Sequence, residues 1–219
     1  MRVVIAALLS ASFIFCTSAA VKKQKKTTPD AIVTVGYMLY GFEERDFEWE
    51  SQFNSSLEEI HKKAEHWLRR EIFMRLKLQT WNITQVDNGL SSKLDSLRIR
   101  DKPDDLVDPF KALQYVRQSA EVISNRPDII CLVTKKPLTF YKTGFGLYHP
   151  LCEVVVPLIL TYNSTNIEET ATRLGFLIRN TMNIDNYHTW YNVPKEEKKR
   201  RFNNCQVQRG LQKQKRWYL

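Results

Sequence analysis

The chain has 219 residues, of which 43% are hydrophobic and 26% charged, with a formal net charge of +9. That is enough for one globular domain with a full core, and too apolar for a disordered polyelectrolyte. Beyond the first 20 residues no apolar stretch reaches the length of a membrane-spanning helix, so no membrane span is expected.

Arg2 precedes an apolar run from Val3 to Cys16 that ends in Thr17-Ser18-Ala19-Ala20. A basic n-region, an apolar h-region and a small-residue cleavage site predict a signal peptide over 1–20 and a secreted, extracellular product. Residues 21–29, with Lys22, Lys23, Lys25 and Lys26, form a basic linker. Secretion argues against nucleic acid as the partner of the excess positive charge. Heparan sulfate, anionic lipid surfaces and acidic proteins are the classes it leaves.

Ala31 to Tyr40 is rich in β-branched and aromatic residues and predicts the first strand. Gly41 to Glu50 is a loop in this reading. Ser56 with Glu59 makes a capping box that opens a helix with Leu57, Ile60, Ala64, Trp67 and Leu68 on one face. Met74, Leu76 and Leu78 alternate with polar neighbours, as in a half-exposed strand reaching toward Trp81. Asn88 to Asp105 is polar and is expected to be a loop. Asp108 as N-cap and Pro109 at the first helical position begin a helix with Phe110, Leu113, Val116, Ala120 and Ile123 as its buried stripe.

Pro127-Asp128 ends that helix, and Ile129 to Thr134 is a short, fully apolar strand. Val154 to Leu160 continues as strand, with Pro157 marking an edge or bulge. Thr165 with Glu168, and Asn166 with Glu169, are overlapping capping boxes that start a helix running to Met182. Ile167, Ala171, Leu174, Ile178 and Thr181 recur at helical spacing as its buried stripe, while Thr172, Phe176 and Arg179 lie on another face. Tyr187 to Tyr191 is aromatic. Lys195 to Arg201, opened by Pro194, reads as a short helix ending near Phe202.

Ala171-Thr172-Arg173-Leu174-Gly175-Phe176 resembles the Ala-His-Glu-Leu-Gly-His of the reprolysin-type metzincins, zinc proteases of snake venom and tick saliva. In their H-E-x-x-H-x-x-G-x-x-H pattern one helix supplies two imidazoles, and the Glu is general base for a zinc-bound water. Thr172 and Phe176 stand at the first two ligand positions, Met182 at the third, Arg173 at the base and Arg179 at the turning Gly. Only Leu174 and Gly175 are kept. The surroundings add to the resemblance: strand, long helix and strand at the start, a Pro-Asp-apolar-Leu-Val-Thr strand at 127–134, and a cleft-lining edge segment from Gly144 through Tyr148 to Cys152. It is similar to the tick salivary reprolysin-like family over roughly Asp30 to Cys205. It implies an α/β metzincin-like domain over 30–190, with a mixed, largely parallel twisted sheet, long helices and a shortened C-terminal subdomain, followed by a basic segment over 191–219. With the ligands and base replaced, no catalytic residue, metal or cofactor is expected. What is implied instead is a salivary binding protein for a host protein or glycan, acting on haemostasis, inflammation or wound repair.

Three cysteines follow the leader, and spacing alone allows any single pairing among Cys131, Cys152 and Cys205. The family resemblance implies Cys152–Cys205, tying the C-terminal segment back, a closure worth roughly 4–5 kcal/mol in the chain-entropy model. Cys131 then remains as a buried free thiol. His61 and His66 are five apart on one helix and do not chelate together, and all four histidines read as surface or partly buried polar residues. A rebuilt metal site using His149, His188 and a carboxylate would make the chain an active hydrolase instead. Asn54, Asn82 and Asn163 head glycosylation sequons. Lys195, Lys198, Lys199, Arg200 and Arg201, then Lys213, Lys215 and Arg216, are the candidates for polyanion binding, with a solvated face as the alternative.

Overall fold

A computed structural model describes residues 29–41, 47–98, 106–121, 125–182, 184, 186–205 and 207. The predicted signal peptide, most of the predicted basic linker and Lys213, Lys215 and Arg216 lie outside them, as does Ile123. The elements are β1 (Ala31–Tyr40), α1 (Phe47–Ile72), β2 (Leu76–Gln85), α2 (Asn88–Ser96), α3 (Pro109–Glu121), β3 (Ile129–Thr134), β4 (Gly144–Gly146), β5 (Val156–Thr161), α4 (Ile167–Asn180), α5 (Tyr187–Asn192) and α6 (Lys195–Arg200).

The fold is α/β. Five strands form one mixed sheet in the order β2-β1-β3-β5-β4. All neighbours are parallel except β4, which runs antiparallel along β5 at the edge. Strand alternation divides the interior between the two sheet faces. Val33, Val35, Tyr37, Cys131, Val133, Leu158 and Leu160 pack with α1 and α4, whereas Ile130, Leu132 and Ile159 pack with α2 and α3. Trp190, Phe202 and Cys205 belong to the first cluster, so the segment after residue 190 packs on the same core.

Helix α1 starts at Phe47, not at Ser56, so residues 47–50 of the predicted loop are helical. The cause is Phe53, fully buried one turn before Leu57 and held edge-on by Tyr37 and Tyr162 at centroid distances of 5.5 and 5.2 Å. Burying that ring extends the apolar stripe N-terminally and leaves the Ser56–Glu59 pattern inside the helix. Residues 88–96 of the predicted loop are helix α2, capped by Asp87, whose carboxylate accepts from Leu90 N at 2.7 Å. Only Leu90 and Leu94 are buried there, too short a stripe to announce a helix.

In α3 the buried side chains are Pro109, Ala112, Leu113, Val116 and Ala120. Phe110, predicted buried, is 54% exposed and rests edge-on against Phe145. Strand β5 begins at Val156, and Val154 only bridges Leu151. Val156 N donates to Asp128 O and Thr161 N to Thr143 O, so the nitrogen of Pro157 faces the β4 side, one residue beyond the last β4 pair, Gly146–Leu158. No ladder bond is lost at that proline.

Candidate functional site

Helix α4 follows β5 directly. Its cap is Asn166, whose side chain accepts from Glu169 N at 3.1 Å, while Asn166 N donates to Asn163 O, so the second pattern supplies the cap without closing a reciprocal box. Thr165 instead donates its hydroxyl to Asn163 Oδ1. Ala171, Leu174 and Ile178 are buried as predicted, and Thr181 closes the helix by donating its hydroxyl to Ile178 O at 2.6 Å. Gly175 is the point of closest approach to α1: a Cβ there would lie 2.7 Å from Trp67 Cε3 and 3.4 Å from Ala64 O. The Leu174-Gly175 pair therefore has a packing reason of its own.

Thr172, Arg173, Phe176 and Arg179 are half-buried. Two guanidiniums lie over the Phe176 ring, with Arg173 Cζ at 5.0 Å and Arg179 Cζ at 4.7 Å from its centroid. Arg179 also lies over Trp67 and Tyr187 and pairs with Glu71 at 3.2 Å. Phe176 and the two guanidiniums do not fit a divalent cation, since none of the three offers a lone-pair donor and two positive charges stand close to the ring. Met182 is buried, 6% exposed, and lines a cleft of about 260 Å³ with Tyr148, Trp190 and Phe202.

Arg173 makes a long-range contact, donating from Nη2 to the carbonyl oxygen of Gly144 in edge strand β4 at 2.6 Å. Its partner is a backbone oxygen and not an acidic side chain. Its Nε is buried without an acceptor, and burial lowers the affinity of the guanidinium for its proton. Gly144 has φ +141, and a Cβ would come within 2.5 Å of Ile159 O, so only glycine fits. Beside this contact a second cleft, of about 380 Å³, opens beyond the carboxyl ends of β3 and β5. Lys135, Lys142 and Arg173 line it together with Thr143, Asn163 and Glu169.

The disulfide is Cys152–Cys205, and Cys131 is a free, buried cysteine whose thiol burial pushes up and keeps protonated. Asp128, Cys152 and Cys205 place ligand-type atoms within 4.8 Å of one another, but the two sulfurs are bonded to each other and Asp128 accepts from Thr34 N and Oγ1. No other such group occurs among the described residues, so His149 and His188 are not gathered into one.

His61 departs from expectation by being buried, 5% exposed, with Nε2 hydrogen-bonded to Tyr37 Oη at 2.6 Å. Burial, with the nearby Lys77 charge, lowers its pKa to about 4, and it is a neutral core group. Sequence reading missed it because His61 adjoins Ile60 on the helix and looks like a boundary residue.

Lys198 also departs from the solvated face expected of a charge run. It is buried over the rings of Phe73 and Trp190 and donates to Tyr191 O. Lys195 and Lys199 face Asp30 at 2.9 and 3.9 Å, and Arg201 stacks on Trp190. Arg200 is exposed. Of the sequons, Asn54 is exposed on α1, Asn82 is half-buried in β2, and Asn163 sits on the rim of the second cleft. Among the described residues no helix is long and apolar enough to cross a membrane.

No family model and no curated protein matches the chain. Similar solved structures include one titled "Structure of a chaperone-substrate complex", 8% identical with a TM-score of 0.36, the match covering 66% of this chain and 23% of that one.

Proposed function

We propose that the chain is a secreted, catalytically silent relative of the tick salivary reprolysin-like metzincins that works as a binding protein. The observation that carries this reading is the pairing of α4 with the antiparallel edge strand β4, joined by Arg173 and Gly144. In a metzincin the corresponding helix would carry the zinc and the edge segment would line the substrate cleft. Here Thr172, Arg173 and Phe176 occupy the positions of ligand, base and ligand, and a guanidinium replaces the group that would take a proton from water.

The scaffold then serves recognition. A host protein or glycan is held in the cleft beside β4 and is not cleaved, with effects on haemostasis, inflammation or wound repair. Incubating the secreted chain with gelatin and fibrinogen, with and without a chelator, tests the reading. Both substrates should survive intact in both conditions. Cleavage that the chelator abolishes would overturn it.

A further inference from the structure

We propose that the cleft beyond the carboxyl ends of β3 and β5 is a binding site for a single oxyanion group, a sulfate or phosphate. The inference rests on the cleft itself and stands whether or not the chain descends from a protease.

Three cations from separate segments converge there: Lys135 after β3, Lys142 before β4 and Arg173 from α4. Arg173 is the informative one. It is a half-buried cation whose only hydrogen bond among the described residues goes to a neutral carbonyl, Gly144 O, while its Nε–H is buried with no acceptor. A charge taken out of water in this way is costly unless an anion compensates it.

No acid of the cleft does so. Glu169, the carboxylate on its rim, faces the amides of Asn163 and Asn166 at 3.2 and 3.5 Å. Lys142 is exposed and has no carboxylate partner among the described residues. The start of α4 contributes little, because Asn166 caps it and Glu168 and Glu169 sit in its first turn. The side-chain cations carry the site. Open α/β sheets hold ligands outside the carboxyl ends of their strands, where this cleft lies. A doubly charged tetrahedral oxyanion suits a guanidinium and an ammonium that line one cleft, with Thr143 also in its wall.

The test uses the full chain, ¹⁵N-labelled, titrated separately with sodium sulfate and sodium phosphate at constant ionic strength, with chloride as the reference. Saturable amide shifts confined to Lys135, Lys142, Thr143, Asn163, Ser164 and Arg173 are expected, and the tighter of the two anions tells a sulfate ester from a phosphate ester as the source. Lys142→Glu, at an exposed position that leaves the core intact, should weaken binding roughly tenfold or more, the loss of one charge-assisted contact. Arg173→Lys should weaken it as well while keeping the charge. Shifts scattered over the basic surface, shifts equal in chloride, or an affinity that Lys142→Glu leaves unchanged would each overturn the assignment.

Discussion

Arg173 Nη2 lies 2.6 Å from the carbonyl oxygen of Gly144, so the central helix of the second half of the chain is bonded to the edge of the sheet 29 residues earlier. β4 is only three residues long, and this bond anchors it from the α4 side. Replacing Arg173 by Ala removes a charge-assisted hydrogen bond. It should cost about 1–2 kcal/mol, less than an ideal charged contact because the half-buried guanidinium is also relieved of its desolvation penalty. Hydrogen exchange should report the loss locally, with faster exchange of the Thr161 amide, which bonds Thr143 O next to Gly144.

Gly175 should resist substitution although it sits inside a helix, where alanine is intrinsically better by about 1 kcal/mol. A Cβ there would overlap Trp67 Cε3, and Arg179 also lies over the Trp67 ring. Gly175→Ala should lose about 1 kcal/mol net, and Gly175→Val about 2–3 kcal/mol, as overpacking between two helices. The midpoint of urea unfolding at constant slope is the measurement.

The Cys152–Cys205 bridge closes a loop with a sequence separation of 53 residues. In the chain-entropy model that is worth about 4 kcal/mol. The double change to alanine should lower stability by about that amount and loosen the region around Phe202. Cys131, buried in β3, should stay unmodified by alkylating reagents until the chain unfolds.

His61 should make the fold sensitive to acid. Its native pKa of about 4 lies below the value near 6.5 of an unfolded histidine, so between those values the unfolded chain binds the extra proton. Stability attributable to this group is complete above about pH 6.5. It falls as pH drops toward 4, by about 3 kcal/mol in all. Titration of the imidazole signals by NMR should show His61 still neutral at pH 5. A His61→Gln variant should show a shallower loss of stability across the same window.

Much of this architecture is written locally. Ala31 to Tyr40, Ile129 to Thr134 and the capped, periodic run after Asn166 announce two strands and a helix, because their residue types and spacing suffice without distant partners. Other features depend on residues far away in the chain. Lys198 looks like one of a solvated run until Phe73 and Trp190 are brought beneath it. Trp190 turns inward because its Nε1 donates to Ile72 O, 118 residues earlier. Helix α5 shows no apolar period, since Trp190 is its one buried side chain. The oxyanion cleft gathers groups from three segments, and no local pattern joins Lys135, Lys142 and Arg173.

The central claim is that the helix after β5 presents groups that cannot hold a metal. Native mass spectrometry of the full chain, secreted from cells in zinc-supplemented medium, measures this directly. The account predicts the mass of the metal-free polypeptide and its glycans. One zinc retained per chain and released by a chelator would contradict it.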